Sequence, residues 1–452
     1  MRRAPWPSRP LRDVGDWSGG GTPSKAREEY WTNGTIPWVT PKDMKVETIT
    51  GAEDLITADA VAGSATKLVP PNSVLVVVRS GILQRLLPVA VTACEVTINQ
   101  DLKAVQLRPW IRPRYLAMAL KAFEQDILQR CTKSGTTVQN INMPALLDYT
   151  IPVAPVEQQD SIVAEIETQF TRLDAGVAAL QRAQANLKRY RASVLKAACE
   201  GRLVPTEAEL ARREGRDYET GAQLLERILA ERRKAWTGKG KYKEPEPPDT
   251  TGLPELPEGW CWASVGQLAD VGTGATPKRG VDRYWSAGSV PWVTSAALND
   301  PYVDVAGECV TEHALAETNL TIYQPGTLLI AMYGEGKTRG KCAELRLRAT
   351  TNQAIAALEC HADVRRYLKL LLWHQYEAIR SRALGGAQPN LNLSMVRSIV
   401  VAMPPEHEQT RVCAEVDRLL SGADQLGSIV DGHLQRVVRL RLAVLQRAFG
   451  GV

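Results

Sequence analysis

From Val163 onward, apolar residues fall on two interleaved ladders with a seven-residue step. Val163, Phe170 and Val177 form one; Ile166, Leu173, Leu180, Leu187 and Val194 form the other. A later stretch repeats the device, with Val416, Ala423, Val430, Val437 and Val444 on one ladder and Leu420 and Leu434 on its partner. A heptad seam held for about four repeats predicts a long helix that zips onto another. Both stretches open on Pro followed by Glu and Gln ("PVEQQ", "PEHEQ") and close on Gly, which suits a helix start and stop. The pattern predicts long coiled-coil helices at 157–200 and 406–452, each roughly 60 to 65 Å long at 1.5 Å per residue. Alone, such a helix leaves its apolar stripe in water, so each needs a partner of similar length, and the chain supplies one.

Ahead of each helix the pattern changes. Short β-rich runs ("VLVVV", "TLLIAM", "SIVVAM") alternate with Gly, Pro and Asn turns and a few helical patches, which predicts a compact α/β domain. The two regions are copies of each other. A shift of 254 positions lays Trp6 on Trp260, Thr22-Pro23 on Thr276-Pro277, Tyr30-Trp31 on Tyr284-Trp285 and "PWVT" (37–40) on "PWVT" (291–294). The shift is 253 by Asn99-Gln100 against Asn352-Gln353 and 250 by Asn140 and Asn142 against Asn390 and Asn392, as expected when a fold is kept while its loops change length. Because each helix follows an equivalent domain, the two helices are expected to run antiparallel. The predicted architecture is α+β / α/β: two pseudo-repeated domains at 1–156 and 259–405, joined by two long antiparallel coiled-coil helices. Residues 201–258 are expected to hold a helical segment ("TGAQLLERILAERRKAW") and a Pro-rich, charged linker that reads as a disordered spacer from 237 to 258.

Composition adds limits. A chain of 452 residues exceeds one ordinary core. The eight Cys include no C-x-x-C pair and no zinc spacing, and read as small buried hydrophobes of a reducing compartment. The basic N-terminus lacks an apolar signal core and no apolar run reaches membrane-spanning length, so a soluble cytoplasmic protein is expected.

Net charge is +5, and the excess lies in the two domains: 18 basic against 14 acidic residues in 1–156, 14 against 12 in 259–405. Local clustering says more. Arg79, Gln84 and Arg85 flank the glycine turn after "VLVVV", and the matching turn of the second copy carries Lys337, Arg339 and Lys341. Basic and amide side chains on loops suit phosphates and base edges. These six turn residues are candidate phosphate or base contacts on their clustering alone. Asn99, Gln100, Asn352 and Gln353 suit either adenine edges or turn capping, and Trp38 and Trp292 suit the core. "AMYGEGKT" (331–338) mimics a phosphate loop, but the residues after it read as a strand rather than the helix such a loop needs. No catalytic constellation or metal-ligand set is recognisable, so no cofactor is expected on this chain.

The motifs, taken in order, carry a resemblance. "GGGTPS" and "GTGATPK", the paired "PWVT", "TINQDLKA" and "TTNQAIAA", then "PVEQQDSIVAEI" and "PEHEQTRVCAEV" leading helices that end "VLKAACEGRL" and "VLQRAFGGV", resemble the specificity subunit of type I restriction-modification enzymes over essentially the whole chain. The resemblance implies two target recognition domains, each reading half of a bipartite double-stranded DNA site, and a helical rod that sets the gap. On that reading the candidate DNA-binding residues are Lys25, Lys42, Arg79, Gln84 and Arg85 in the first copy, with Lys278, Arg279, Lys337, Arg339 and Lys341 in the second. It implies a non-catalytic chain whose modification subunits, usually two, bring S-adenosylmethionine and methylate adenine. Restriction subunits would bring ATP- and Mg-dependent translocation and cleavage. The two copies differ at most loop positions, so an asymmetric target is expected. The rival reading is a coiled-coil protein-interaction scaffold without DNA specificity, whose DNA binding would show little salt dependence.

Overall fold

The computed structural model describes residues 6–133, 139–238, 240–334, 338–382 and 390–450. They fall into two compact units, Met1–Ala183 with Ile429–Val452, and Gln184–Ser428. The division cuts through both long helices, which span Val156–Cys199 and Glu406–Gly450. Each unit thus holds one globular copy, one end of the first helix and one end of the second.

In the first unit a five-stranded sheet runs in the order Gly15–Gly19, Leu102–Leu107, Val74–Val77, Val89–Thr92, Thr48–Ile49. All its pairings are antiparallel except the last. Val74–Val77 is an unbroken apolar run because it is the central strand, buried on both faces. A second sheet orders Asp54–Ile56, Ile36–Val39, Val96–Ile98 and Leu68–Val69, and puts Trp38 on an inner strand opposite Asp54. Helices Pro113–Ala122 and Glu124–Cys131 close the domain, and the first of them places Tyr115 in the core against Trp6. Burial pushes the Tyr115 phenol up to about 12, although it accepts a hydrogen bond from the Ala154 amide.

The second unit repeats this plan, strand for strand in the larger sheet. Its five-stranded sheet runs Ala269–Thr273, Ile355–Cys360, Leu328–Ala331, Cys342–Leu345, Tyr302–Val303, again antiparallel except for the last pair. Its smaller sheet has three strands, Glu308–Val310, Val290–Val293 and Thr350–Thr351, and a single bridge from Tyr323 to Ala349 stands where the first unit has its fourth strand. The duplication read from the sequence is a duplication of topology.

The entry to each long helix is fixed by a buried glutamine. Gln159 donates to the carbonyls of Trp110 (3.0 Å) and Ala154 (2.8 Å) and accepts from the Arg112 amide (2.8 Å), while Gln409 donates to Pro404 (2.9 Å). Further along, the helices pair antiparallel within each unit. In the first, Arg441 pairs with Asp174 and lies 5.0 Å above the Phe170 ring, and Leu445 and Phe449 share a cluster with Val163 and Ile166. In the second, Arg191 pairs with Asp424, and Val194 and Ala198 cluster with Val412 and Val416. The ladder residues Val163, Ile166, Phe170, Leu173, Val177, Leu180, Leu187, Val194, Val416, Leu420, Val430, Leu434, Val437 and Val444 are all buried or half-buried.

The stretch after the first helix adds Glu207–Glu214 and Gly221–Ala235, each opened by a reciprocal Thr cap. Both pack into the second unit. Buried Glu207 pairs with Arg216 (2.7 Å) and Arg411 (2.6 Å), its amide donates to buried Glu408 (2.8 Å), and Arg227 joins Glu219, Asp363 and Glu406. Beyond Ala235 the described residues carry no regular element as far as Trp260, yet the stretch is held at points: Ser264 donates to the Glu246 carbonyl (2.9 Å), and Arg212 pairs with Glu258 (2.6 Å).

Candidate nucleic-acid interface

The loop that leaves the first strand of each large sheet is built by close backbone contact. A Cβ on Gly20 would lie 1.9 Å from the Ile98 carbonyl oxygen, and one on Gly274 would lie 1.7 Å from that of Thr351, so only glycine fits at either place. The next residue is held by an indole: Trp38 donates to Gly21 O and Trp292 to Ala275 O, both at 3.0 Å. Trp31 and Trp285 meet these rings edge-on, each at 5.1 Å. Trp38 and Trp292 are thus core residues, and their task is to set the loop that carries Thr22 or Thr276.

That loop meets the "NQ" turn. Asn99 caps the turn, accepting from the Asp101 amide (3.0 Å), and Asn352 accepts likewise from Ala354 (3.1 Å). Gln100 accepts from the Thr22 hydroxyl at 2.5 Å, and Gln353 from that of Thr276.

Around this shared frame the candidate cations are disposed differently in the two copies. In the first, Lys25, Gln84 and Arg85 have exposed side chains, the latter two at the short helical turn Gly81–Gln84 and its cap. Arg79 donates through Nε to Asp101 (2.5 Å), which brings it beside the Asn99-Gln100 turn. Lys42 bridges Asp54 (3.0 Å) and Glu53 (3.1 Å), and its hydrogen bond to Asp54 holds its ammonium above the usual range. In the second copy Lys278 is exposed, while Arg279 stacks 3.9 Å over Trp285 and pairs with Glu308, Nη2 to Oε1 at 3.0 Å. That pairing holds the Glu308 carboxyl below its ordinary value. Arg339 is half-buried and donates to the Gly334 carbonyl (3.4 Å), and Lys341 donates to Asn299 Oδ1 (2.8 Å). Lys337 lies outside the described residues.

The strand Leu328–Ala331 is followed, past the turn at Thr338–Gly340, by the antiparallel strand Cys342–Leu345. The described residues after "AMYGEGKT" therefore enter a strand and not a helix, while 335–337 lie outside the described residues. Among the described residues no group of three or more His, Cys, Asp or Glu stands in a metal-holding arrangement, and no helix is long and apolar enough to cross a membrane. The eight thiols are free. Burial raises several of them, Cys199, Cys342 and Cys360 to about 12.

Two copies of one scaffold, sharing a loop frame around which the cations are disposed differently, define a protein with paired recognition domains. The chain belongs to the family of type I restriction modification DNA specificity domains, whose pattern matches residues 4–179 and 257–425, and it is a specificity subunit carrying two copies of that domain. It is 43% identical over 163 residues to the EcoR124I/EcoR124II specificity subunit of Escherichia coli, a match covering 36% of this chain and 40% of that one. It is 22% identical over 409 residues to the MjaIX specificity subunit of Methanocaldococcus jannaschii, covering 89% and 83%. Its fold matches the HsdS subunit from Thermoanaerobacter tengcongensis with a TM-score of 0.53 at 18% identity, over 99% and 97% of the two chains. A chain from a structure of complex assembly and conformational transition in a type I R-M system matches with a TM-score of 0.66 at 16% identity, over 99% and 98%.

Proposed function

We propose that the chain recognises an asymmetric bipartite site on double-stranded DNA and directs adenine methylation, and restriction where restriction subunits are present, by partner subunits. The observation that supports this most is the duplicated loop frame, in which the Gly20/Gly274 and Trp38/Trp292 contacts coincide while the cations around them do not. In this reading residues 1–156 and 259–405 are the target recognition domains. The long helices set the gap between the half-sites, and 201–258 connects the two halves. Sites about one helical turn apart, roughly 34 Å, would face both readers from one side of the duplex. Lys25, Gln84, Arg85 and Lys278 are the foremost DNA contacts. Lys42, Arg79, Arg279, Arg339 and Lys341 belong to the same loops but meet DNA only by sharing or exchanging the protein partners they hold.

Modification subunits, two per chain in this reading, supply S-adenosylmethionine, and restriction subunits supply ATP and Mg. Apolar side chains left in water on the second long helix, Val438 at 71% exposure and Leu440 among them, give the modification subunits a face to cover. Co-expression with the modification subunit and genome-wide mapping of methylated adenines tests the whole. A split motif with unequal halves and a constant gap is expected; the absence of any motif defeats the reading.

A further inference from the structure

The Thr22–Gln100 and Thr276–Gln353 hydrogen bonds are exposed, and they recur with the same donor and acceptor in both copies. Their surroundings do not recur. Ser24-Lys25 stands where the second copy has Lys278-Arg279, and Gln100 is followed by Asp101 where Gln353 is followed by Ala354. Something other than the neighbours keeps the pair the same.

Loop stability is a weak reason. Each threonine loop is already fixed by a glycine pressed onto a carbonyl and by a buried indole hydrogen bond. An extra hydrogen bond between neutral groups in water adds little to that, because each group exchanges a bond to water for a bond to protein. The geometry offers another reason. With Oε1 held by the threonine hydroxyl, the carboxamide is fixed in orientation, and its Nε2 end is left to donate outward from an exposed turn.

A donor that is the same in two domains whose reading loops differ should meet whatever the two half-sites share. Half-sites of different sequence share their sugar-phosphate backbone, which is where amide donors fix register without reading sequence. The local charge agrees, because each threonine is followed within three residues by an exposed lysine, Lys25 in one copy and Lys278 in the other. We propose that Gln100 and Gln353 are phosphate-positioning residues. Each is oriented by its threonine and donates through Nε2 to a phosphodiester oxygen at the matching place in its half-site. The assignment rests on the DNA-recognition reading above.

The experiment compares Gln100→Glu/Gln353→Glu with Gln100→Ala/Gln353→Ala, in the full chain co-expressed with its modification subunits. Binding is measured to a duplex carrying the mapped target and to an unrelated duplex of equal length. Glutamate keeps the oxygen that accepts from threonine but loses the outward donor and sets a negative charge toward the phosphate; alanine loses the threonine bond and the donor without adding charge. The glutamate pair is expected to weaken both duplexes by about tenfold or more and by more than the alanine pair does, with the methylated motif unaltered. Wild-type affinity in the glutamate pair, or a larger loss in the alanine pair, overturns the assignment. So does a motif altered in either half, which would mean base reading, and so does loss of the co-purified modification subunits, which would mean a protein contact. Wild-type complex that binds neither duplex is a different result: it removes the DNA reading, and this assignment along with it.

Discussion

Trp38 and Trp292 each bury a large ring and spend the single indole N–H on a loop carbonyl at 3.0 Å. Replacing either with Phe keeps most of the apolar contact and leaves that carbonyl without its donor, for an expected cost of about 1–3 kcal/mol. Hydrogen exchange should show the loss of protection confined to the unit that holds the substitution. Gly20→Ala should do more harm, because its Cβ meets backbone rather than a movable side chain. Glu207 carries a pH dependence. Burial pushes its carboxyl up, but the hydrogen bonds from Arg411 and Arg216 together outweigh burial and hold it below its ordinary 4.5. An acid lowered in this way stabilises the fold above its unfolded value, and that contribution disappears as pH falls through the lower folded value. Glu207→Gln is therefore expected to cost about 3 kcal/mol near neutrality and to flatten the acid limb of the stability curve below pH 4.5, measured by denaturant unfolding across pH. Residues such as these mark how far the sequence can be read. Lys42, Arg79 and Arg279 stand out as surface cations, but their counter-ions Asp54, Asp101 and Glu308 lie 12 to 29 positions away and arrive only through sheet pairing, which composition does not reveal.

Among the elements, the long helices were the most legible, since a seven-residue step states which face is covered. What covers that face is not stated by the period. Val163 and Ile166 join the core of a globular domain, while Leu173, Val177 and Leu180 are only half-buried. Leu445 and Phe449, off the ladder ending at Val444, enter the first domain's core, and Phe449 meets Tyr115 edge-on at 5.0 Å. The helix Glu207–Glu214 carries a weaker signal for a related reason: it is short, and it docks through one buried carboxylate and two small residues, Ala208 and Ala211, rather than a stripe of large apolar side chains. The end of the second helix is thus a structural part of the first unit. Phe449→Ala is expected to destabilise that unit by about 3–5 kcal/mol, with faster hydrogen exchange in Pro113–Ala122 and no change in Ala362–His374.

For the whole molecule, a net charge of +5 is too small for long-range attraction to explain tight DNA binding, so affinity must depend on which cations are available to phosphates. A cation already neutralised by a carboxylate releases few counter-ions when DNA arrives, whereas an unneutralised one releases nearly its full share, about 0.9 per phosphate contact on duplex DNA. Exposed Lys25 and Arg85 differ in this respect from Arg279, which is paired with Glu308 and stacked on Trp285. In the complex with modification subunits, Lys25→Ala/Arg85→Ala is expected to lower the slope of log affinity against log salt by about 2, equally for target and unrelated duplexes. Arg279→Ala should leave that slope nearly unchanged while loosening the Trp285–Trp292 pair, seen as faster exchange in the strand Val290–Val293. Salt titration of the two variants against wild type separates these outcomes. A full unit of slope lost in Arg279→Ala would mean that DNA displaces Glu308 and that Arg279 meets a phosphate as an unpaired cation would.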